Sequence, residues 1–317
     1  MIHPTSLLLI IFYLISLSSG HIFVSDVSHK KCDESYLKQF RGVVAEKDGF
    51  EYYPWHVFEP NPGKVKFFQV RGGNVKEICK HYLPQDVQEV IILNTNLEYI
   101  EPGYFQSNVL EQVFIQGNRY NRIHRGVFNG TTIRSLVLSG NHIRHIDSRA
   151  FENMKKLEAI SLDYNDIKVW DSTWFEHAKV LHDITITHNL LTEIPEKATK
   201  DISQILETDS LRKYGSINFD NNKILYIHPD AFQNMRTLDT VSLSNNRILE
   251  LSEKVFQRFE FLMSLYMNSN EFICFSNDTV RSFMGVRRLF LGENQFNREC
   301  VDEIKGFFDL KGDKVYF

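Results

Sequence analysis

The side chains able to do chemistry in this 317-residue chain are few and dispersed. Four cysteines supply thiols: Cys32, Cys79, Cys274 and Cys300. No two are spaced as Cys-x-x-Cys, which argues against a zinc knuckle, and four cysteines allow three disulfide connectivities. Histidines occur as two close pairs, His142 with His145 and His182 with His188. They read as surface positions, and no acidic cluster accompanies them to complete a metal cage. Neither a metal nor a cofactor is therefore expected. The chain has no nucleophile elbow, His-Glu-x-x-His, phosphate loop or dinucleotide fingerprint. Its carboxylates are scattered, so it reads as a non-enzyme. Asn129-Gly130-Thr131 and Asn277-Asp278-Thr279 are acceptors for N-glycans.

Glycans and disulfides need an exported chain, and the first twenty residues suggest one. They hold no charge, run apolar from Leu7 to Leu17, and end in Ser18-Ser19-Gly20. This reads as a signal peptide over residues 1–20. The run is short of the roughly 20 apolar residues that span a bilayer, and no second such run occurs later. A secreted, extracellular protein without a membrane span is the expectation, and the even cysteine count then implies disulfides. The 36 basic and 40 acidic residues give a net charge of −4 with no long block of one sign, which argues against nucleic-acid binding.

An internal repeat must position everything else. "LDTVSLSNNRILEL" at 238–251 has apolar residues at positions 1, 4, 6, 11 and 14, with Asn246 at position 9. Copies start at 65, 87, 110, 133, 157, 181, 214, 238, 262 and 286, at intervals of 22 to 24 residues with one of 33. Position 9 holds Asn118, Asn141, Asn165, Asn189, Asn222, Asn246, Asn270 and Asn294, with Thr95 in the copy at 87. A second marker runs in phase: Phe105, Phe128, Phe151, Phe175, Phe232 and Phe256 all stand at position 19. Positions 4 and 6 share one side of a short strand because side chains alternate. The chain then turns inward, and unpaired buried backbone groups there would each cost about 1–3 kcal/mol. An asparagine amide both donates and accepts, so position 9 satisfies that turn. Asn245, at position 8, reads as an exposed neighbour whose replacement costs under about 0.5 kcal/mol.

This pattern resembles the extracellular leucine-rich repeat family, over residues 65–309. Within it the chain is most similar to short secreted arthropod members, some of which act in innate immunity. The resemblance implies an α/β solenoid, a horseshoe with a parallel β-sheet on its concave face and loops or 3₁₀ turns on the convex side. Residues 21–64, with the aromatic string "FEYYPWHVF", form the expected N-terminal cap as a hairpin, and 310–317 a short tail. Capping positions at the two ends of one solenoid then pair Cys32 with Cys79 and Cys274 with Cys300. The long copy at 181 carries an insertion near 195–213, read as a short convex helix through Ala198, Ile202, Ile205 and Leu206.

Positions 3, 5, 7 and 8 are expected to face the concave solvent, where a ligand would bind. Ile91, Leu93, Phe114 and Val137 make an apolar N-terminal third. Asp163, Asp183 and Asp220, beside Tyr164 and His188, make an acidic middle. Tyr266 and Phe290 return aromatic character at the far end. The expected function is recognition of an extracellular protein on this face, with glycan or lipid ligands and a homodimer as other partners. A matrix or cell-adhesion component is the alternative.

Overall fold

The computed structural model describes residues 64–73, 75–79, 83, 86–107, 109–202 and 215–317, with the backbone alone of 43–48 and 64–66. The expected signal peptide, Cys32, the aromatic string at 50–58 and residues 203–213 of the insertion lie outside the described residues.

One twelve-stranded sheet runs through the molecule. Each copy from 65 to 286 contributes one strand, and neighbouring copies pair in parallel and in register. Ile217 lies opposite Val241, and Leu265 opposite Leu289. Position 4 thus meets position 4, so one apolar column continues across copies. Val241, Leu243 and Ile248 of the copy at 238 are fully buried. The convex side is built of turns and short paired strands such as Arg122–Ile123 with His145–Ile146. Among the described residues the α-helices, Asn277–Ser282 and Arg298–Lys311, stand near the C-terminal end. The molecule is a parallel-sheet β-solenoid with little helix.

The asparagine column does what a two-way amide allows. Asn246 Oδ1 accepts the Ile224 N–H of the preceding copy at 3.0 Å. Its Nδ2 donates to the carbonyls of Phe219, Leu243 and Ser244 at 3.0, 3.0 and 3.2 Å. One side chain therefore ties two copies together, and Asn165 repeats the pattern. Thr95 imitates it in part, sending its backbone N–H and its hydroxyl to Asn118 Oδ1.

The phenylalanines stack into a buried spine. Ring centroids lie 5.2 Å apart from Phe105 to Phe128, 6.1 Å from Phe128 to Phe151 and 5.3 Å from Phe151 to Phe175. The spine breaks at the long copy, where Thr199 is buried and bonds the Ala231 carbonyl. There Trp170 fills the space, packed on Phe219 at 5.4 Å with its indole N–H on the Ala198 carbonyl. Residues 196–200 of the insertion form a turn, with Ala198 and Ile202 buried.

Each end of the sheet carries one strand beyond the copies. At the N-terminal edge, Val43–Asp48 pairs antiparallel with Lys64–Arg71, the strand of the first copy. At the other end, the residues assigned to a tail continue the sheet. The helix Arg298–Lys311 starts at Asn297, whose side chain accepts the Cys300 N–H, and stops at Gly312 with φ 74°. The left-handed glycine turns the chain back, and Lys314–Tyr316 pairs in parallel with Val286–Phe290. Cys274 and Cys300 are bridged with Cα atoms 5.7 Å apart, fastening this helix to the last full copies. Cys79 is also disulfide-bonded; its expected partner, Cys32, is not among the described residues.

Candidate functional site

The turn at the end of each strand shapes the concave face. Position 8 lies in the left-handed region in every copy, from Gly72 at φ 65° through Asn94, Gly117 and Gly140 to Glu293 at φ 58°. This conformation lets the position-8 N–H continue the ladder into the next copy, as Asn245 does to the Asn268 carbonyl at 3.0 Å. Glycine and asparagine tolerate it; larger side chains are strained there. Asn245 is exposed as expected, but its backbone demands a residue that accepts positive φ, so replacing it costs more than a plain surface change.

Tyr164 and His188 occupy the same strained position at φ 55° and 52°. They are in adjacent copies, and their rings stack at 4.1 Å with an interplanar angle of 14°. His188 is exposed, and the Tyr164 side chain is 55% exposed. Two bulky rings held in an unfavourable backbone region and turned to solvent form a candidate contact surface.

Beside them, position 7 carries the carboxylates. Asp163 Oδ2 accepts the hydroxyls of Ser161 and Thr185 at 2.9 and 2.7 Å, and Oδ1 accepts the Thr187 N–H at 2.6 Å. Ser139 extends the net to Ser161 at 2.7 Å. Asp220 repeats the motif two copies on: its Oδ1 takes the Ser242 hydroxyl at 2.6 Å and the Ser244 N–H at 2.7 Å. Burial pushes the Asp220 carboxyl above the usual carboxylate range, against the pull of these hydrogen bonds. The third expected acid, Asp183, does not face solvent. It is buried, with Oδ1 on the Ser216 N–H at 2.8 Å and Oδ2 3.1 Å from His182 Nδ1. His182, read as a surface residue, is itself 3% exposed. Position 2 turns toward the next copy here: Ser216 N–H reaches the His182 carbonyl, and a side chain on Gly215 would strike that oxygen.

The apolar third is also less open than alternation suggests. Ile91 and Leu93 are half-buried, but Phe114 and Val137 are buried at 4% and 2% exposure. In-register pairing sets Ile91, Phe114 and Val137 side by side, so each flanks the next on a curved sheet. Strands about 4.8 Å apart leave little of a middle ring uncovered. Phe114 therefore reads as packing rather than as an exposed anchor.

At the far end the aromatic column is longer than the sequence suggests. Tyr266 stacks on Phe290 at 4.3 Å, and Phe290 on Tyr316 at 4.6 Å, with interplanar angles of 11° and 7°. Tyr316 stands at the same position of the last strand, which the sequence pattern conceals because that strand comes after a helix. A faint signal exists: Lys314, Val315 and Tyr316 mimic positions 3 to 5 of a further copy. The glycan acceptors fall away from these columns, with Asn129 half-buried in a turn and Asn277 exposed at the start of its helix.

The Leucine rich repeat family profile matches residues 108–167, 131–191 and 236–296. No curated protein sequence matches the chain. Among solved structures, human 5T4 (Wnt-activated inhibitory factor 1, trophoblast glycoprotein) is similar with a TM-score of 0.52 and 19% identity, over 78% of this chain and 84% of that one. A chain of the Toll–Spatzle complex, a molecular hub in Drosophila development and innate immunity, gives a TM-score of 0.57 and 17% identity. That match covers 78% of this chain and 35% of the other, so this chain spans about a third of it. At such identities the likeness is one of fold, that of a leucine-rich-repeat solenoid. No enzymatic family is indicated, and no helix among the described residues is long and apolar enough to cross a membrane.

Proposed function

We propose that this leucine-rich-repeat solenoid is a secreted recognition protein that binds an extracellular protein on its concave face. The observation that carries this reading is the exposed Tyr164–His188 stack, held at positive φ in the centre of that face. Rigid aromatic side chains are common anchors of protein interfaces. The Tyr266–Phe290–Tyr316 column supplies a second aromatic area on the same sheet. The similar structures lend support, since one of them is a chain of the Toll–Spatzle complex. An innate-immune role is the form of this function that the sequence resemblance favours.

Binding of the purified, disulfide-intact protein to an arrayed panel of secreted and ectodomain proteins tests the proposal. Saturable binding to one protein, weakened at least tenfold by Tyr164→Ser with His188→Ser, is the expected result. Serine meets the same positive φ and both side chains are solvent-facing, so the melting temperature of the double variant should stay close to that of the wild type. Binding confined to insoluble matrix, and indifferent to these substitutions, would favour a matrix or adhesion component instead.

A further inference from the structure

The four solvent-side positions of the concave face have an uneven charge pattern. In the eight copies that start at 87 through 262, positions 3, 5, 7 and 8 contain no lysine or arginine, although the chain has 36. The charged residues they do contain are Glu89, Asp163, Asp183 and Asp220. Two of these, Glu89 and Asp183, are buried. Asp163 and Asp220 are half-buried and flank Thr187, one copy to either side. Neither forms an ion pair with lysine or arginine among the described residues. Their hydrogen bonds come from hydroxyls and backbone N–H groups, which are neutral donors and leave the negative charge in place. The Asn218 side chain, also a neutral donor, adds to the bonds at the Asp220 carboxylate. Alongside lie the faces and edges of the stacked Tyr164 and His188 rings.

We propose that this central surface, Asp163, Asp220, Tyr164 and His188, receives an arginine side chain presented by the protein ligand. The inference rests on the concave-face reading above and names what its partner must carry. Charge complementarity selects a cation, and the geometry selects its kind. Strands about 4.8 Å apart put Asp163 and Asp220 roughly 10 Å from each other, so a cation resting against Thr187 feels both carboxylates. A planar, weakly hydrated guanidinium both stacks on aromatic rings and donates its forked N–H groups to a carboxylate, whereas an ammonium keeps its water more strongly. A bound cation would also compensate the carboxylate that burial disfavours at Asp220.

The test uses the full secreted chain and three fluorescein-labelled peptides, identical except for three arginines, three lysines or three citrullines. Citrulline keeps the shape of arginine without its charge. Anisotropy titrations should show the arginine peptide binding at least tenfold more tightly than the citrulline peptide and several-fold more tightly than the lysine peptide. Asp220→Asn and Tyr164→Ser should each weaken arginine-peptide binding at least fivefold. Glu303→Gln, on the exposed side of the C-terminal helix, should leave it unchanged. Tyr164 is exposed, so its variant keeps the test open if Asp220→Asn perturbs folding. Equal binding of arginine and citrulline peptides, equal binding of arginine and lysine peptides, or indifference to Tyr164→Ser in a folded protein would each overturn the assignment. Loss of the arginine effect with a protein ligand still held on the concave face would overturn this inference and leave the function standing.

Discussion

Phe151→Ala should destabilise the protein by about 3–5 kcal/mol, the range for removing a buried ring from a core that cannot fully collapse. The Phe151 side chain has no solvent exposure and is stacked on both sides, against Phe128 at 6.1 Å and Phe175 at 5.3 Å. Its loss opens a gap between two rings whose own positions are fixed by the repeat, so neighbours cannot shift to fill it. Urea denaturation monitored by circular dichroism reads the effect. Phe151→Leu should cost clearly less, because it keeps most of the volume. A Phe151→Ala midpoint within error of the wild type would show that the spine is not what holds the convex side.

Asn246→Ala should cost about 3 kcal/mol, and Asn245→Ala, one residue earlier, about 1 kcal/mol for a different reason. Removing the Asn246 amide leaves the Ile224 N–H without its acceptor, while the carbonyls of Phe219, Leu243 and Ser244 each lose one of two donors and keep the Asn222 amide, the Asn270 amide and the Asn221 N–H, respectively. Each unsatisfied buried group costs on the order of 1–3 kcal/mol, partly relieved by relaxation. Asn245 makes no such net; its φ of 55° is the issue. Alanine in the left-handed region is about 1 kcal/mol or more worse than asparagine or glycine. Asn245→Gly should therefore be near neutral while Asn245→Ala is not. Equal urea midpoints for Asn245→Ala and Asn246→Ala would contradict this division between a backbone role and a side-chain role.

The period, the asparagine column and the phenylalanine column are legible in the sequence because each is one residue type at one spacing. Burial of positions 4 and 6 follows from strand alternation, and position 11, as at Ile248, returns to the same core after the turn. Position 8 hides its rule: Gly72, Asn94, Gly117, Gly140, Asn221 and Asn245 announce positive φ, but Tyr164, His188, Ser269 and Glu293 share the conformation without looking like turn residues. Of the candidate site, Tyr164, Asp163, Asp220, Tyr266 and Phe290 stand at their expected columns. Phe114, Val137 and Asp183 are not at the surface, since alternation gives the side a residue faces and not how far its neighbours cover it. Tyr316 escapes sequence reading because a helix separates its strand from the preceding repeat.

A glycan placed on the concave sheet should block binding there. Arg247→Thr converts the exposed Asn245 into an Asn-x-Thr acceptor at the margin of that sheet, changing one exposed residue. Arg247→Ala removes the same charge without creating an acceptor. Affinity for the protein ligand, measured by surface plasmon resonance on material from a glycosylating host, should fall at least tenfold for Arg247→Thr and stay unchanged for Arg247→Ala. Enzymatic removal of the glycan should restore it. Wild-type affinity in a fully glycosylated Arg247→Thr protein would move the binding surface off the concave sheet and refute the recognition role assigned to it.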